Sequence, residues 1–317
     1  QVSFVYMGDI QIDQQMEEEY TLWGALAQAA YKKAPDLAFG ILGGDIVESG
    51  SSTAQFQCFL ENASPVFSKV PLFATNGNHE SNFPSGKPEL YLDTFAFPRN
   101  GPQGFEEEFY SFHYGPCHVI VLNSWVFSGE QALTEEDFAE IAAWIKADLS
   151  SSNATWQIVV THLPPYAVHS DQNAAAVKEN WVPLFEQYGV DLVFVGHQHV
   201  YARSYPMYEN QINYEKGIPY IMGNAGQKYY SSADESLMER VIYNTATYQL
   251  VRIDGDSLTV QTFDLEGNEL DFCSVTPREK ETQTVSFSDV KEDAWYAKAV
   301  QHVTERHLVE PISETVF

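Results

Sequence analysis

Five short blocks within residues 8–199 carry the side chains that could do chemistry: Gly8-Asp9, Gly44-Asp45, Gly77-Asn78-His79-Glu80, Thr161-His162 and Gly196-His197-Gln198-His199. Carboxylates, an amide oxygen and neutral imidazoles are donors that suit Mn, Fe, Zn or Ni, and no thiolate occurs in any block. A carboxylate shared by two ions holds them roughly 3.5–4 Å apart, so that a bridging hydroxide can attack phosphorus in line while both metals neutralise the phosphoryl oxygens. Asp45 is read as that bridge. Asn78 ligates without adding a negative charge that would repel phosphate, which leaves the adjacent His79 to face the leaving oxygen and protonate it. Glu80 could orient His79. Any one block alone reads more readily as a loop polar residue or a helix cap than as a ligand; the five together reverse that and point to a dinuclear site.

The blocks share a local context. Each follows an apolar run: Val5-Tyr6-Met7, Ile41-Leu42, Leu72-Phe73, Ile158-Val159-Val160 and Leu192-Val193-Phe194-Val195. Such runs read as buried strands that deliver ligands at their C-terminal ends, where open α/β sheets place their sites. Helix-like stretches at 21–33, 53–62, 134–149 and 174–188 alternate with them, which indicates α/β layering. Thr134-Glu135-Glu136-Asp137 is a capping-box-like helix start. Strands at 248–253 and 258–265 flank a turn at Asp254-Gly255-Asp256, while His113 and His118 flank Gly115-Pro116 in a second hairpin and are read as structural. The Pro/Gly-rich loops 82–88 and 98–104 are long enough to border a pocket.

The order Asp, Gly-Asp, Gly-Asn-His-Glu, His, Gly-His-X-His resembles the calcineurin-like metallophosphoesterases, and the run from Gly196 through Arg203 is most similar to their purple acid phosphatase branch. The resemblance spans roughly residues 1–275 and implies two packed β-sheets flanked by helices, with hydrolysis of phosphate esters as the activity. It further implies that Asp9, Asp45 and His199 bind one metal, that Asp45, Asn78, His162 and His197 bind the other, and that His79 is the phosphate-contacting acid. Two positions depart from the pattern. Where the family usually has His two residues after the first Asp, this chain has Gln11; where the purple branch has Tyr three residues after the second Asp, it has Glu48. Gln11, Glu48 or water is left to complete the first metal's coordination, and without the tyrosinate an iron-loaded enzyme should not be purple. His169 lies where relatives place substrate-pocket residues, but reads equally as a solvated loop residue. Tyr166 and Tyr201 are similar cases, and Arg203 either clamps a phosphate or pairs with a nearby carboxylate, the structural role being favoured.

Composition narrows the partners. The chain has 317 residues, 44% of them hydrophobic, with 20 Phe and 18 Tyr, enough for a large core plus an appendage. A net charge of −27 repels polyanions, so a small phosphate ester fits better than nucleic acid. No apolar stretch approaches the roughly 20 residues of a membrane span. Cys58, Cys117 and Cys273 have no metal-ligand spacing, and a Cys58 to Cys117 bridge stays open.

Residues 1–276 are read as the catalytic domain and the polar stretch 277–284 as a linker. Residues 285–317, with Phe287-Ser288-Asp289-Val290 and Asp293-Ala294-Trp295-Tyr296-Ala297-Lys298-Ala299-Val300, resemble the start of an S-layer homology repeat, although Arg306-His307-Leu308 stands where a Gly is usual. The resemblance implies attachment to a cell-wall polymer, an extracytoplasmic location, and a natural chain that continues past Phe317; the competing reading is a C-terminal helix packed on the catalytic domain. A wall-attached binding or scaffold protein with a degenerate metal site is the alternative to an enzyme.

Overall fold

In a computed structural model, which describes residues 1–81, 86–231, 234–278, 288–291 and 294–300, the five apolar runs are strands of two large sheets. The first sheet runs Glu269–Val275, Ser257–Phe263, Tyr248–Asp254, Val2–Met7, Phe39–Leu42, Leu72–Ala74. Its last three strands are mutually parallel, so all three end at the same edge. The second runs Met238–Ile242, Tyr201–Ser204, Tyr220–Met222, Leu192–Val195, Trp156–Thr161, Cys117–Leu122, Tyr110–Tyr114, again with parallel neighbours at its centre. Two packed sheets flanked by helices, the architecture implied by the resemblance, is what forms.

The two-residue period of a strand explains the layering. In Trp156–Thr161, Ile158 and Val160 join the core between the sheets, while Val159 joins the core under the outer helices. Leu192 and Phe194 against Val193 and Val195 repeat the division. Phe194 stacks on Tyr6 of the other sheet with ring centroids 4.3 Å apart, and the Tyr6 hydroxyl donates to the Val195 carbonyl at 2.7 Å. Truncating such a ring costs about 3–5 kcal/mol, so the contact fixes how the two ligand-bearing edges meet.

Helix limits differ from the sequence reading for local reasons. The first helix starts at Glu17 rather than 21, its first turn carrying Glu17, Glu18 and Glu19 at the positive end of the dipole. The second continues from Thr53 to Phe67 through Pro65; the Glu61 carbonyl, which a proline cannot serve, accepts instead from Ser64 Oγ at 2.9 Å. Helix Glu135–Ser151 has the expected capping box of Thr134 and Asp137. The stretch 174–188 is two helices, Gln172–Asn180 and Val182–Gln187, broken at Trp181, because Pro183 lacks the N–H that would continue the first.

Both expected hairpins form, Tyr248–Asp254 with Ser257–Phe263 and Tyr110–Tyr114 with Cys117–Leu122. His113 and His118 pair across the latter with rings 4.5 Å apart, and His118 Nε2 meets Asp148 at 2.9 Å, a structural role as read. Cys58, Cys117 and Cys273 are all free, so the Cys58 to Cys117 bridge does not form. Arg278, inside the stretch read as linker, donates its backbone N–H to Asp191 at 2.7 Å. Residues 279–287 and most of the expected S-layer-like segment, including 301–317, lie outside the described residues, as does part of loop 82–88. No helix among the described residues is long and apolar enough to cross a membrane.

Candidate metal centre

The candidate ligand residues sit on the turns that leave the strand ends, and the backbone there is unusual. Among the described residues, nine non-glycine residues have positive φ, and five of them are Asp9, Gln11, Asp45, His197 and His199. Four of these five, Asp9, Asp45, His197 and His199, bring their side chains together at the edge where the two sheets meet. The neighbouring glycines permit the approach: a Cβ on Gly77 would lie 2.1 Å from Asp45 Oδ1, and one on Gly196 would lie 2.4 Å from Asp9 Oδ2.

Two groups of ligating atoms result, each with its members within 4.8 Å of one another: Asp45, His162 and His197, and Asp9, Asp45 and His199. Asp45 belongs to both. Asp9, Asp45, His162 and His199 are buried, whereas Asn78, His79 and His197 are partly exposed, so the site has a dry floor and an open mouth. Asp9 accepts the His197 N–H at 2.8 Å, and Asp45 Oδ1 accepts the His79 N–H at 3.0 Å, so backbone amides fix both carboxylates.

The hydrogen bonds decide which ring nitrogens face inward. His162 Nδ1 donates to the Gly43 carbonyl at 2.7 Å, which turns Nε2 toward Asp45 Oδ2 at 3.3 Å and Asn78 Oδ1 at 3.2 Å. His197 Nε2 donates to Asp171 at 2.9 Å, which turns Nδ1 toward Asn78 Oδ1 at 3.0 Å. In the neutral rings these contacts set lone pairs against lone pairs, an arrangement that a cation satisfies and a hydrogen bond does not. The donor set is therefore a fit for hard or borderline metal ions. Without a cation, protons must balance the carboxylates. Burial alone would lower the His162 imidazole, but Asp45 and then Asp9 override it and push its pKa up to about 10. Burial raises Asp9 well above the usual carboxylate range, while Asp45 is held low by His162 in spite of its burial. His199 is pushed down to about 3, by burial first, and so presents a neutral ring.

The remaining expected residues divide. His79 Nδ1 bonds the Glu48 carbonyl at 2.5 Å, leaving Nε2 for the pocket. Gln11 donates Nε2 to the Glu48 carboxylate, and its buried Oε1 has no hydrogen-bond partner among the described residues. Glu80 does not orient the His79 ring. Its carboxylate instead accepts backbone N–H groups of Asp45, Ile46, Val47 and Gly77 at 2.7–3.2 Å, tying two ligand turns together from beneath.

Arg203 has the carboxylate partners of the structural reading: it grips Asp271 bidentately at 2.7 and 3.1 Å and pairs with Glu239, joining the two sheets. Tyr201 donates to the same Asp271 at 2.8 Å from the core between the sheets. Tyr166 is buried under the outer helices, with its hydroxyl 3.3 Å from Asn210. His169 stays near the mouth. Its ring lies 5.2 Å from that of Tyr230, which lies 5.1 Å from His199, and Gln198 holds the His169 backbone through both its N–H and its carbonyl. Sequence reasoning missed Asp171, Tyr230 and Trp125, whose ring is 6.4 Å from His197; Asp171 lies only two residues past His169, but no motif marks any of the three.

Strand-end carboxylates, an amide and imidazoles converging between two packed sheets define a metallophosphoesterase. The chain belongs to the calcineurin-like phosphoesterase family, whose model matches residues 2–201. Over 177 residues it is 30% identical to purple acid phosphatase 15 of Arabidopsis thaliana, a match covering 54% of this chain and 31% of that protein. The chain thus spans about a third of that relative's length. Its fold is similar to the purple acid phosphatase from yellow lupin (Lupinus luteus) seeds, with TM-score 0.66 and 18% identity over 86% of this chain and 53% of that one. It is similar as well to GAP50, the anchor in the inner membrane complex of Plasmodium, with TM-score 0.64 and 15% identity over 88% and 90% of the two chains.

Proposed function

We propose that the chain hydrolyses small phosphate esters with two transition metal ions, Fe, Mn, Zn or Ni, held between its sheets. The observation that carries this reading is the pair of ligand groups sharing Asp45. Asp9, Asp45 and His199 hold one ion, with Gln11 Oε1 as its further oxygen donor and Glu48 fixing that amide; Asp45, Asn78, His162 and His197 hold the other. Bound metals supply Lewis acidity toward the phosphoryl oxygens and lower the pKa of the attacking water. His79, anchored through Nδ1 on the Glu48 carbonyl, moves a proton from Nε2 to the leaving oxygen. His169, Tyr230 and Trp125 border the mouth where the ester's organic group would rest.

Asp45→Asn and Asn78→Ala should each abolish turnover of an aryl phosphate, and elemental analysis should show the larger metal loss for Asp45, which serves both ions. Unchanged metal and turnover in both variants would end this assignment.

A second reading has one observation in its favour: the fold is shared with a protein named as an anchor, and neither usual donor stands at Gln11 or Glu48. A wall-attached scaffold with a degenerate site would purify without metal and show no turnover. The S-layer-like segment supports an extracytoplasmic, surface-attached location, which fractionation of the native cells would test.

A further inference from the structure

Asp171 caps helix Gln172–Asn180: its Oδ1 accepts the N–H groups of Asn173 and Ala174 at 2.7 and 3.0 Å. A cap needs only one oxygen. The other, Oδ2, accepts from His197 Nε2 at 2.9 Å, so one carboxylate both starts a helix and holds an imidazole. Of the other rings at the site, His162 and His79 are held by the uncharged carbonyls of Gly43 and Glu48, at 2.7 and 2.5 Å. His197 differs in that the nitrogen turned away from Asn78 meets a carboxylate at hydrogen-bond distance. Unlike His162, which is fully buried, His197 keeps a side chain 19% exposed, at the open side of the site, where a ring could otherwise turn.

We infer that Asp171 is a positioning residue for the second metal: by accepting the Nε2–H hydrogen bond of His197 it fixes the tautomer that aims the Nδ1 lone pair beside Asn78 Oδ1 and makes that nitrogen a stronger donor. The inference rests on His197 being a metal ligand, as proposed above. The helix dipole helps, because the backbone N–H groups of the first turn hold the Asp171 carboxylate in its ionised, accepting form. No sequence motif announces the role, since the carboxylate and the imidazole are 26 residues apart.

Two substitutions separate positioning from capping, because both keep a good cap at the helix start. Asp171→Ser retains the cap oxygen but cannot reach His197. Asp171→Asn retains both the cap and the reach, yet can turn its NH2 toward Nε2 and so draw the His197 proton onto Nδ1, the logic by which an amide in place of a carboxylate imposes the wrong imidazole tautomer. Zn(II) titration of the full chain against a chromophoric chelator should show a second-site affinity about 10–100-fold weaker in both variants, with the larger loss in Asp171→Asn. The thermal midpoint of the metal-free protein should move little. Ring-nitrogen NMR of metal-free protein should show the Nε2–H tautomer of His197 in the parent and its loss in Asp171→Asn. Unchanged Zn(II) affinity in both variants while His197→Ala loses the second ion would overturn the role of Asp171 and leave the metal assignment standing. A His197→Ala variant that keeps both ions would overturn the assignment and this inference with it.

Discussion

Replacing Arg203 by Met separates an architectural arginine from a phosphate ligand. The guanidinium side chain is 10% exposed and the Asp271 side chain 9%, with Glu239 more open at 37%. Met fills most of the same volume, so the cost is the stranded charge rather than a cavity. Removing one partner of a buried ion pair costs about 3–5 kcal/mol; here the Tyr201 hydroxyl still serves Asp271 and Glu239 can rehydrate, which places the expected loss near the lower bound, about 3 kcal/mol. At roughly 2–4 °C per kcal/mol for domains somewhat smaller than this one, the thermal midpoint should fall by about 6–12 °C. Urea denaturation of the metal-free protein would measure the loss directly, and the double variant Arg203→Met with Asp271→Asn should recover much of it, because the uncompensated charge is gone. Turnover at a temperature where both proteins are folded should keep its KM within about twofold, since the carboxylate partners of the arginine, Asp271 and Glu239, are not among the proposed metal ligands. A stability change below about 1 kcal/mol together with a large rise in KM would refute this reasoning and return Arg203 to the substrate.

Three further outcomes follow from the site. His79→Ala should keep both ions yet lose roughly 10²–10⁴-fold in rate on esters with poor leaving groups and far less on good ones; equal losses on both would remove the acid role. During dialysis against a mild chelator, Gln11→Ala should release one ion sooner than the parent while Glu48→Gln changes little, and the reverse order would make Glu48 the ligand. Because His162 sits at about 10 without metal, its inward nitrogen is protonated at neutral pH and must lose that proton to ligate; metal uptake at about pH 8 should therefore release a proton and tighten as pH rises. Calorimetry in two buffers of different ionisation enthalpy would reveal this, and identical heats would contradict it.

What could be read from the sequence was whatever is local. An apolar run followed by Gly and a ligand type is visible in a few residues, and Asp9, Asp45, Asn78, His162, His197 and His199 do converge. The capping box at Thr134 and the turn at Gly255 were legible for the same reason. Partnerships between distant segments were not. Arg203 meets Asp271 across 68 residues, and only the packing of one sheet on the other brings them together, so the sequence favoured the structural role for that arginine without being able to name its partner. Asp171 looks like an ordinary cap until the fold sets His197 against its second oxygen. Glu80, adjacent to His79 in sequence, turned away because four backbone N–H groups beneath the turn outbid one imidazole for its charge.

The left-handed corners at Asp9, Asp45, His197 and His199 constrain how such a site can change over evolutionary time. Outside glycine, Asp, Asn and His are among the few residue types enriched in that backbone region, so the residues best able to bind metal here are also those the turns accept most readily. A Glu or Tyr at one of these corners would oppose the backbone before it ever met an ion. Gln11 stands at a fifth such corner, at φ 48°, without that tolerance, and strain of this kind is on the order of 1–3 kcal/mol. Replacing Gln11 by glycine or asparagine should therefore relieve that strain and raise stability. The glutamine at this corner is a residue the turn alone would not choose.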